Sequence, residues 1–321
     1  MIELTNVSKH FNNTKAVNNI SFRVEEGETI VLLGTSGCGK TTTLRMINRL
    51  AEPTSGEIVV NGQNIKQQVP EKLRRGIGYV LQHHGLFPHY TVAENIAIVP
   101  DLLKWTRQKT ADRTHELLNK LQLPASLANV YPAQLSGGQQ QRVGLARALA
   151  TYPPVLLMDE PLGALDPVTR AGIRKEFREL DELKKKTVVM VTHDVQEAFE
   201  LGDRICLMDK GEIVQIGKPV DLLFTPANNF VASFLKEQRL QLELTSILVK
   251  DVWSLLPKAI DGIEEKCISA DSSLWNVLET ISLRNATAQR FICTMNAEKK
   301  QINSAAIMAA YTQYKNLYSH E

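Results

Sequence analysis

Residues 34–41 read Gly-Thr-Ser-Gly-Cys-Gly-Lys-Thr. Ahead of them runs the apolar segment Thr29–Leu33 (TIVLL), which reads as a buried strand, and behind them Thr42–Leu50 places Leu44, Ile47 and Leu50 on one helical side. Strand, glycine-rich loop and helix in that order make a phosphate-binding P-loop. The glycines let backbone N–H groups close on phosphate oxygens, and the helix N-terminus adds partial positive charge. Lys40 then reaches the β- and γ-phosphates of a nucleoside triphosphate, and the Thr41 hydroxyl serves Mg²⁺. Gly34, Thr35, Ser36, Gly37, Cys38, Gly39, Lys40, Thr41 and Thr42 are therefore candidate nucleotide-binding residues. Cys38 stands beside a helix N-terminus, which can activate a thiol, although a small residue that fits the loop satisfies the same pattern.

The 321 residues suit a main domain followed by a smaller one. A hydrophobic content of 43% with 22% charged residues is that of a globular protein with a sizeable core, and a net charge of +2 gives nucleic-acid binding no support. No apolar run approaches the roughly 18 residues that span a bilayer, and MIELTNVSK lacks the basic region and apolar core of a signal peptide. A cytosolic chain is expected. Cys38, Cys206, Cys267 and Cys293 lack metal-type spacing and read as free thiols of a reducing compartment.

Outward from the P-loop, ELTNVSKHF and AVNNISFRV alternate as antiparallel strands, with Phe11 either an aromatic that stacks on a base or plain core. Glu57–Val60 followed by Asn61-Gly62 reads as a strand and tight hairpin turn. Ile77–Leu81 is a buried-type strand ending at Gln82, and the carboxyl ends of strands are where α/β sheets hold ligand-contacting groups. A helical region follows from about Val92 to Leu123. Leu135-Ser136-Gly137-Gly138-Gln139 opens another helix, with Ser136 as N-cap and two glycines that make a second anion-binding end. Val155–Met158 then ends in Asp159-Glu160, a carboxylate pair able to support Mg²⁺ through water and to activate an attacking water. Ala164-Leu165-Asp166 forms a loop before a charged amphipathic helix from Arg170 to Lys186. Thr187–Val191 leads to His193, which reads equally as a γ-phosphate contact or a satisfied core histidine. Arg204–Met208 and Ile213–Ile216 form a hairpin closing the sheet.

Together these motifs resemble the ATP-binding subunit of ABC transporters, the Leu-Ser-Gly-Gly-Gln segment before the acidic strand being the most specific of them. The resemblance covers Met1 to Leu235 and implies a P-loop NTPase (RecA-like) α/β core with an antiparallel β subdomain and a helical subdomain. It implies ATP and Mg²⁺ as cofactors and two copies closing head to tail, so that the P-loop of one and the Ser136, Gly137, Gly138, Gln139 segment of the other enclose each ATP. On that resemblance Phe11 stacks on adenine, and Thr41 and Gln82 contact Mg²⁺, with Asp159 supporting it through water. Glu160 is the general base, His193 and Gln82 assist catalysis, and Asp166 communicates between the two sites. The loop after Gln82, with Phe87 and Tyr90, is where the family docks a membrane permease.

The strings MINRLAEPTSGEI, GYVLQHHGLFPHYTVAENIAIVPDLLKW and MDEPLGALDPVTR are similar to those of glycine betaine, carnitine and choline importers. That implies a homodimer on the cytoplasmic face of the inner membrane, working with a permease and an extracytoplasmic substrate-binding protein. Importers of polyamines, sugars or anions, non-transport ATPases and a nucleotide-sensing module are the alternatives. After the cassette, residues 236–321 begin with an amphipathic helix, RLQLELTSILVKDVWSLL. They continue as a short strand (Lys266–Ala270), helix (Ser272–Leu283), strand (Arg290–Met295), strand near Gln301 and helix (Ser304–Leu317). That order resembles one CBS unit with a degenerate remnant before it, which implies either a regulatory module that pairs across the dimer or a purely structural tail.

Overall fold

The structure is a computed structural model and describes residues 1–82, 85–163, 165–259, 265–283, 290–295 and 298–318. The chain divides into two compact units, Met1–Ile216 and Gly217–Glu321.

In the first unit, β1 (Ile2–Phe11), β2 (Thr14–Val24), β4 (Ser55–Val60) and β5 (Gln63–Asn64) form a sheet in the order β2-β1-β4-β5. β1 pairs antiparallel with both β2 and β4, and Asn61 and Gly62, with φ of 50° and 76°, supply the tight turn from β4 to β5. A second sheet takes β3 (Thr29–Gly34), β6 (Ile77–Val80), β7 (Val155–Asp159), β8 (Thr187–Val191), β9 (Arg204–Asp209) and β10 (Glu212–Gly217) in the order β10-β9-β3-β8-β7-β6. β3, β7 and β8 are apolar runs because both of their faces are covered, as parallel strands require. Ile30, Leu32, Leu157, Val189 and Val191 pack with Ile2, Leu4, Ile20 and Phe22 of the first sheet and with Leu44 and Ile47 of the P-loop helix in one core.

Several elements differ from the sequence pattern for local reasons. The P-loop helix begins at Lys40 rather than Thr42, because Gly39 (φ 102°) turns the chain at its N-cap. The region from Val92 to Leu123 is two helices, Val92–Leu102 and Arg107–Lys120: Lys104 takes a φ of 56°, and the Thr106 side chain accepts from Lys109 N to start the second. The charged helix starts at Pro167, capped by Asp166, and ends at Glu179, with a separate turn Asp181–Lys184 after the extended Leu180. Proline at the first helical position needs no amide partner, so the start moves ahead of Arg170.

The second unit holds a three-stranded sheet, β11 (Glu265–Ile268), β12 (Arg290–Met295) and β13 (Glu298–Ile302). β11 and β12 are parallel, β12 and β13 antiparallel, and the helices Leu274–Leu283 and Ser304–Tyr318 follow β11 and β13. The segment from Arg239 is helical only to Ser246, and a 3₁₀ stretch takes over at Val249–Leu255. Buried inside this unit, the Glu243 carboxylate receives hydrogen bonds from Tyr311 Oη, Arg239 Nε (2.7 Å) and Lys315 Nζ (3.0 Å). Burial opposes its ionisation, yet those donors outweigh it and hold the carboxyl below the usual glutamate range.

Removing the phenol donor should expose that balance. Tyr311→Phe is expected to lower stability by about 1–3 kcal/mol at neutral pH, measured by denaturant unfolding followed through Trp253 and Trp275. A carboxyl held below its unfolded value stabilises above the unfolded pKa of about 4.3, and this contribution is lost as pH falls through the folded value. The gap between Tyr311→Phe and the parent should therefore close in acid; a gap that stays constant would contradict the pairing.

Candidate functional site

Adjacent strands carry the candidate residues to one edge of the sheet. β3 runs into Gly34, β7 ends at Asp159 with Glu160 next, β8 leads to Thr192 and His193, and β6 leads through Leu81 to Gln82. Their register, Leu32↔Val191, Asp159↔Val191 and Val80↔Met158, brings those carboxyl ends level. They open on a cleft of about 570 Å³ lined by Ala16, residues 36–42, Gln82, Glu160 and His193.

Glycine is required in the loop at two places. At Gly39 a Cβ would lie 2.4 Å from Ala16 O, and at Gly34 (φ 150°) 2.1 Å from Met208 O. Gly39 also offers no capping side chain, so the first amides of the helix Lys40–Ile47 face the cleft without an internal acceptor. Lys40 is 5% exposed, and its Nζ donates to Gly34 O (2.9 Å) and Thr35 O (2.8 Å), 3.6 Å from Cys38 Sγ. Burial pushes the Cys38 thiol up and the Lys40 charge offsets this only in part, so Cys38 is a small buried residue of the loop, not an activated thiolate.

Two further clusters stand at the cleft, one of them reaching behind its lining to the buried Asp159. Thr41 Oγ1 donates to Asp159 Oδ1 at 2.8 Å, and burial lifts the Asp159 carboxyl above the usual range. Glu160 takes a φ of 45°, an uncommon backbone setting for a residue with a side chain. Its Oε2 accepts from Gln82 Nε2 at 2.9 Å and lies 3.2 Å from His193 Nδ1. His193 is 56% exposed at its side chain and lines the cleft, so it is not a core histidine.

Other candidates lie outside the lining. Phe11 is 51% exposed, with Lys9 Nζ 4.9 Å from its ring, so it is not core; its strand partner Thr14 precedes the lining residue Ala16 by two positions. Ser136 Oγ accepts from Gln139 N (3.3 Å), and Gln139 Oε1 accepts from Ser136 N (2.9 Å), a reciprocal cap on the helix Gly137–Leu149. Ser136 and Gly137 are exposed, whereas Gly138 is buried where a Cβ would stand 3.0 Å from Thr169 Cγ2. Asp166 Oδ1 accepts from Val168 N and Thr169 N, both at 3.1 Å. His83, His84 and Ala164 lie outside the described residues.

Sequence reasoning overlooked Asn95. It is fully buried, donates to Phe87 O (3.1 Å), Tyr90 O (3.0 Å) and Thr91 O (3.0 Å), and accepts from Phe87 N (2.8 Å). These bonds fold residues 87–91 so that Phe87 and Tyr90 stay exposed, their rings 5.6 Å apart. An amide on the apolar face of a helix was the available signal.

The ABC transporter family profile matches residues 17–163. The glycine betaine uptake system ATP-binding protein YehX of Escherichia coli is 52% identical over 247 residues, 77% of this chain and 80% of that protein. The chain belongs to the ATP-binding proteins of ABC transporters. The choline transport ATP-binding protein OpuBA of Bacillus subtilis is also 52% identical, over 241 residues, and the match spans 63% of its length and 75% of this cassette chain. The dimeric structure of MJ0796, a bacterial ABC transporter cassette, superposes with a TM-score of 0.62 at 38% identity over 68% of this chain and 98% of that one.

The cassette's loop geometry carries its own test. Gly39→Ala forces a side chain into left-handed backbone and against Ala16 O, and is expected to cost at least about 1–2 kcal/mol. Thermal unfolding checks this, and an unchanged melting temperature would contradict the loop geometry.

Proposed function

We propose that this chain is the ATP-hydrolysing subunit of an ABC import system and energises uptake of a quaternary-ammonium osmoprotectant of the glycine betaine, carnitine or choline type. The observation that carries the chemistry is the convergence of Lys40, the Thr41–Asp159 pair and the Glu160–Gln82–His193 cluster on one cleft. The similarity to YehX and OpuBA, whose names specify glycine betaine and choline, supports the cargo class.

In this reading the loop amides and Lys40 grip the triphosphate, and Phe11 closes over the adenine. A hydroxyl, an amide oxygen and a carboxylate form a hard oxygen donor set that fits Mg²⁺, held by Thr41 and Gln82, with Asp159 through water. When bound, the ion neutralises phosphate charge during transfer. Glu160 takes the proton of the attacking water, and His193 and Gln82 orient its carboxylate and the γ-phosphate end. Ser136 and Gly138 act on the nucleotide of a second copy in a head-to-tail homodimer, a pairing supported by the similarity to the dimeric MJ0796 cassette, and Asp166 communicates between the two sites. Phe87 and Tyr90 meet a membrane permease on the cytoplasmic face, and an extracytoplasmic binding protein delivers the cargo. The β-α-β-β-α order of the second unit supports a single CBS-like module with a regulatory or structural role.

Glu160→Gln should keep ATP affinity, lower turnover by about 100-fold or more, and trap a dimer with ATP. A turnover rate near the parent's would remove Glu160 as the base. Uptake of labelled betaine, carnitine and choline, with and without this chain at low and high osmolarity, tests the cargo. No change for any of them would remove the osmoprotectant reading.

A further inference from the structure

We infer that Arg170 is a positioning residue that ties the Leu165–Asp166 loop to His193 through Asp194, so that the setting of His193 against Glu160 depends on where that loop lies. The inference rests on the roles proposed for Glu160 and His193 and adds a new residue to them.

Arg170 stands in the first turn of the helix Pro167–Glu179, which Asp166 caps. Its guanidinium divides between two elements: Nη2 donates to Leu165 O at 3.0 Å, and Nη1 donates to Asp194 Oδ2 at 3.3 Å. Asp194 directly follows His193 and is fixed in two further ways. Its Oδ1 accepts from Glu197 N (3.1 Å), capping the helix Val195–Leu201, and its own N–H donates to Thr192 Oγ1 (3.0 Å). His193 lies between Thr192 and Asp194 and inherits their placement, and its Nδ1 then stands 3.2 Å from Glu160 Oε2. One guanidinium thus connects a loop carbonyl to the residue beside the imidazole.

The chemistry of the side chain suits the task. A planar fork can serve a carbonyl and a carboxylate at once, whereas a lysine offers one compact charge. Both groups are sheltered, at 25% and 22% exposure, so solvent does not reduce the pair to an ordinary surface contact. Arg174, one turn on, adds a longer contact to Asp194 Oδ1 (4.0 Å) and one to Glu200 Oε2 (3.4 Å). The plainer interpretation is an ion pair that only fastens one helix to the next. It would change stability without changing turnover in the folded protein.

The test uses the full chain with Arg170→Met, Arg170→Lys, Asp194→Asn and the Arg170→Met/Asp194→Asn double variant. ATP affinity, kcat and thermal unfolding are measured for each. The expected result is ATP affinity within about twofold, kcat lower by about tenfold to a hundredfold in Arg170→Met and Asp194→Asn, and an intermediate kcat in Arg170→Lys. The double variant should be no slower than the slower single one, because both changes break the same link. Multiplying losses, or normal kcat in the Arg170 variants, would overturn the inference. If Arg170→Met fails to fold, Arg170→Lys and Asp194→Asn decide by the same kcat criterion. His193→Ala separates the two levels: kcat lost there but normal in the Arg170 variants sinks this inference alone. A normal kcat in His193→Ala sinks the role of His193 and the inference with it.

Discussion

The site depends on the level registration of four buried parallel strands. Because β3, β8, β7 and β6 are hydrogen-bonded neighbours in parallel, their carboxyl ends deliver the P-loop, His193, Glu160 and Gln82 to a single edge. Residues that are far apart in the chain meet there at hydrogen-bond distance: Thr41 with Asp159, and Gln82 with Glu160. A slip of one residue in any of these strands would turn each side chain to the opposite face and break those pairs. The core that covers both faces is therefore what fixes the chemistry of the edge.

In the function proposed, the edge supplies one half of a phosphate site. Ser136 to Gln139 present a second helix N-terminus, capped through its own reciprocal hydrogen bonds, yet none of these residues lines the cleft. Gly138 also packs closely, since a Cβ there would stand 3.0 Å from Thr169 Cγ2 of the helix Pro167–Glu179. In the function proposed, the missing half comes from another copy, and closure of the pair is what moves the membrane partner.

Much of this was legible in the sequence because the decisive motifs are local. The P-loop, the buried strand before Asp159-Glu160 and the Ser136 cap each follow from a few consecutive residues. What escaped were features set by tertiary contact. The helix Pro167–Glu179 begins before its charged pattern because Asp166 and Pro167 define the start. Arg170 looked like one charge among many, and only the fold shows its guanidinium shared between Leu165 and Asp194. Asn95 was hidden for the same reason: its value lies in four bonds to a loop whose path the sequence does not specify. Phe11 and His193 carried two readings each, and exposure decides against core for both.

In the function proposed, a complete nucleotide site needs two copies of the chain. Two variants test it directly, Lys40→Ala with a disabled P-loop and Ser136→Arg with a disabled signature segment, assayed for ATP turnover separately and as a mixture. A head-to-tail pair predicts that each is inactive alone and that mixing restores turnover, because the mixed dimer contains one site with both halves intact. Full turnover by Ser136→Arg alone, or no turnover on mixing, would contradict it.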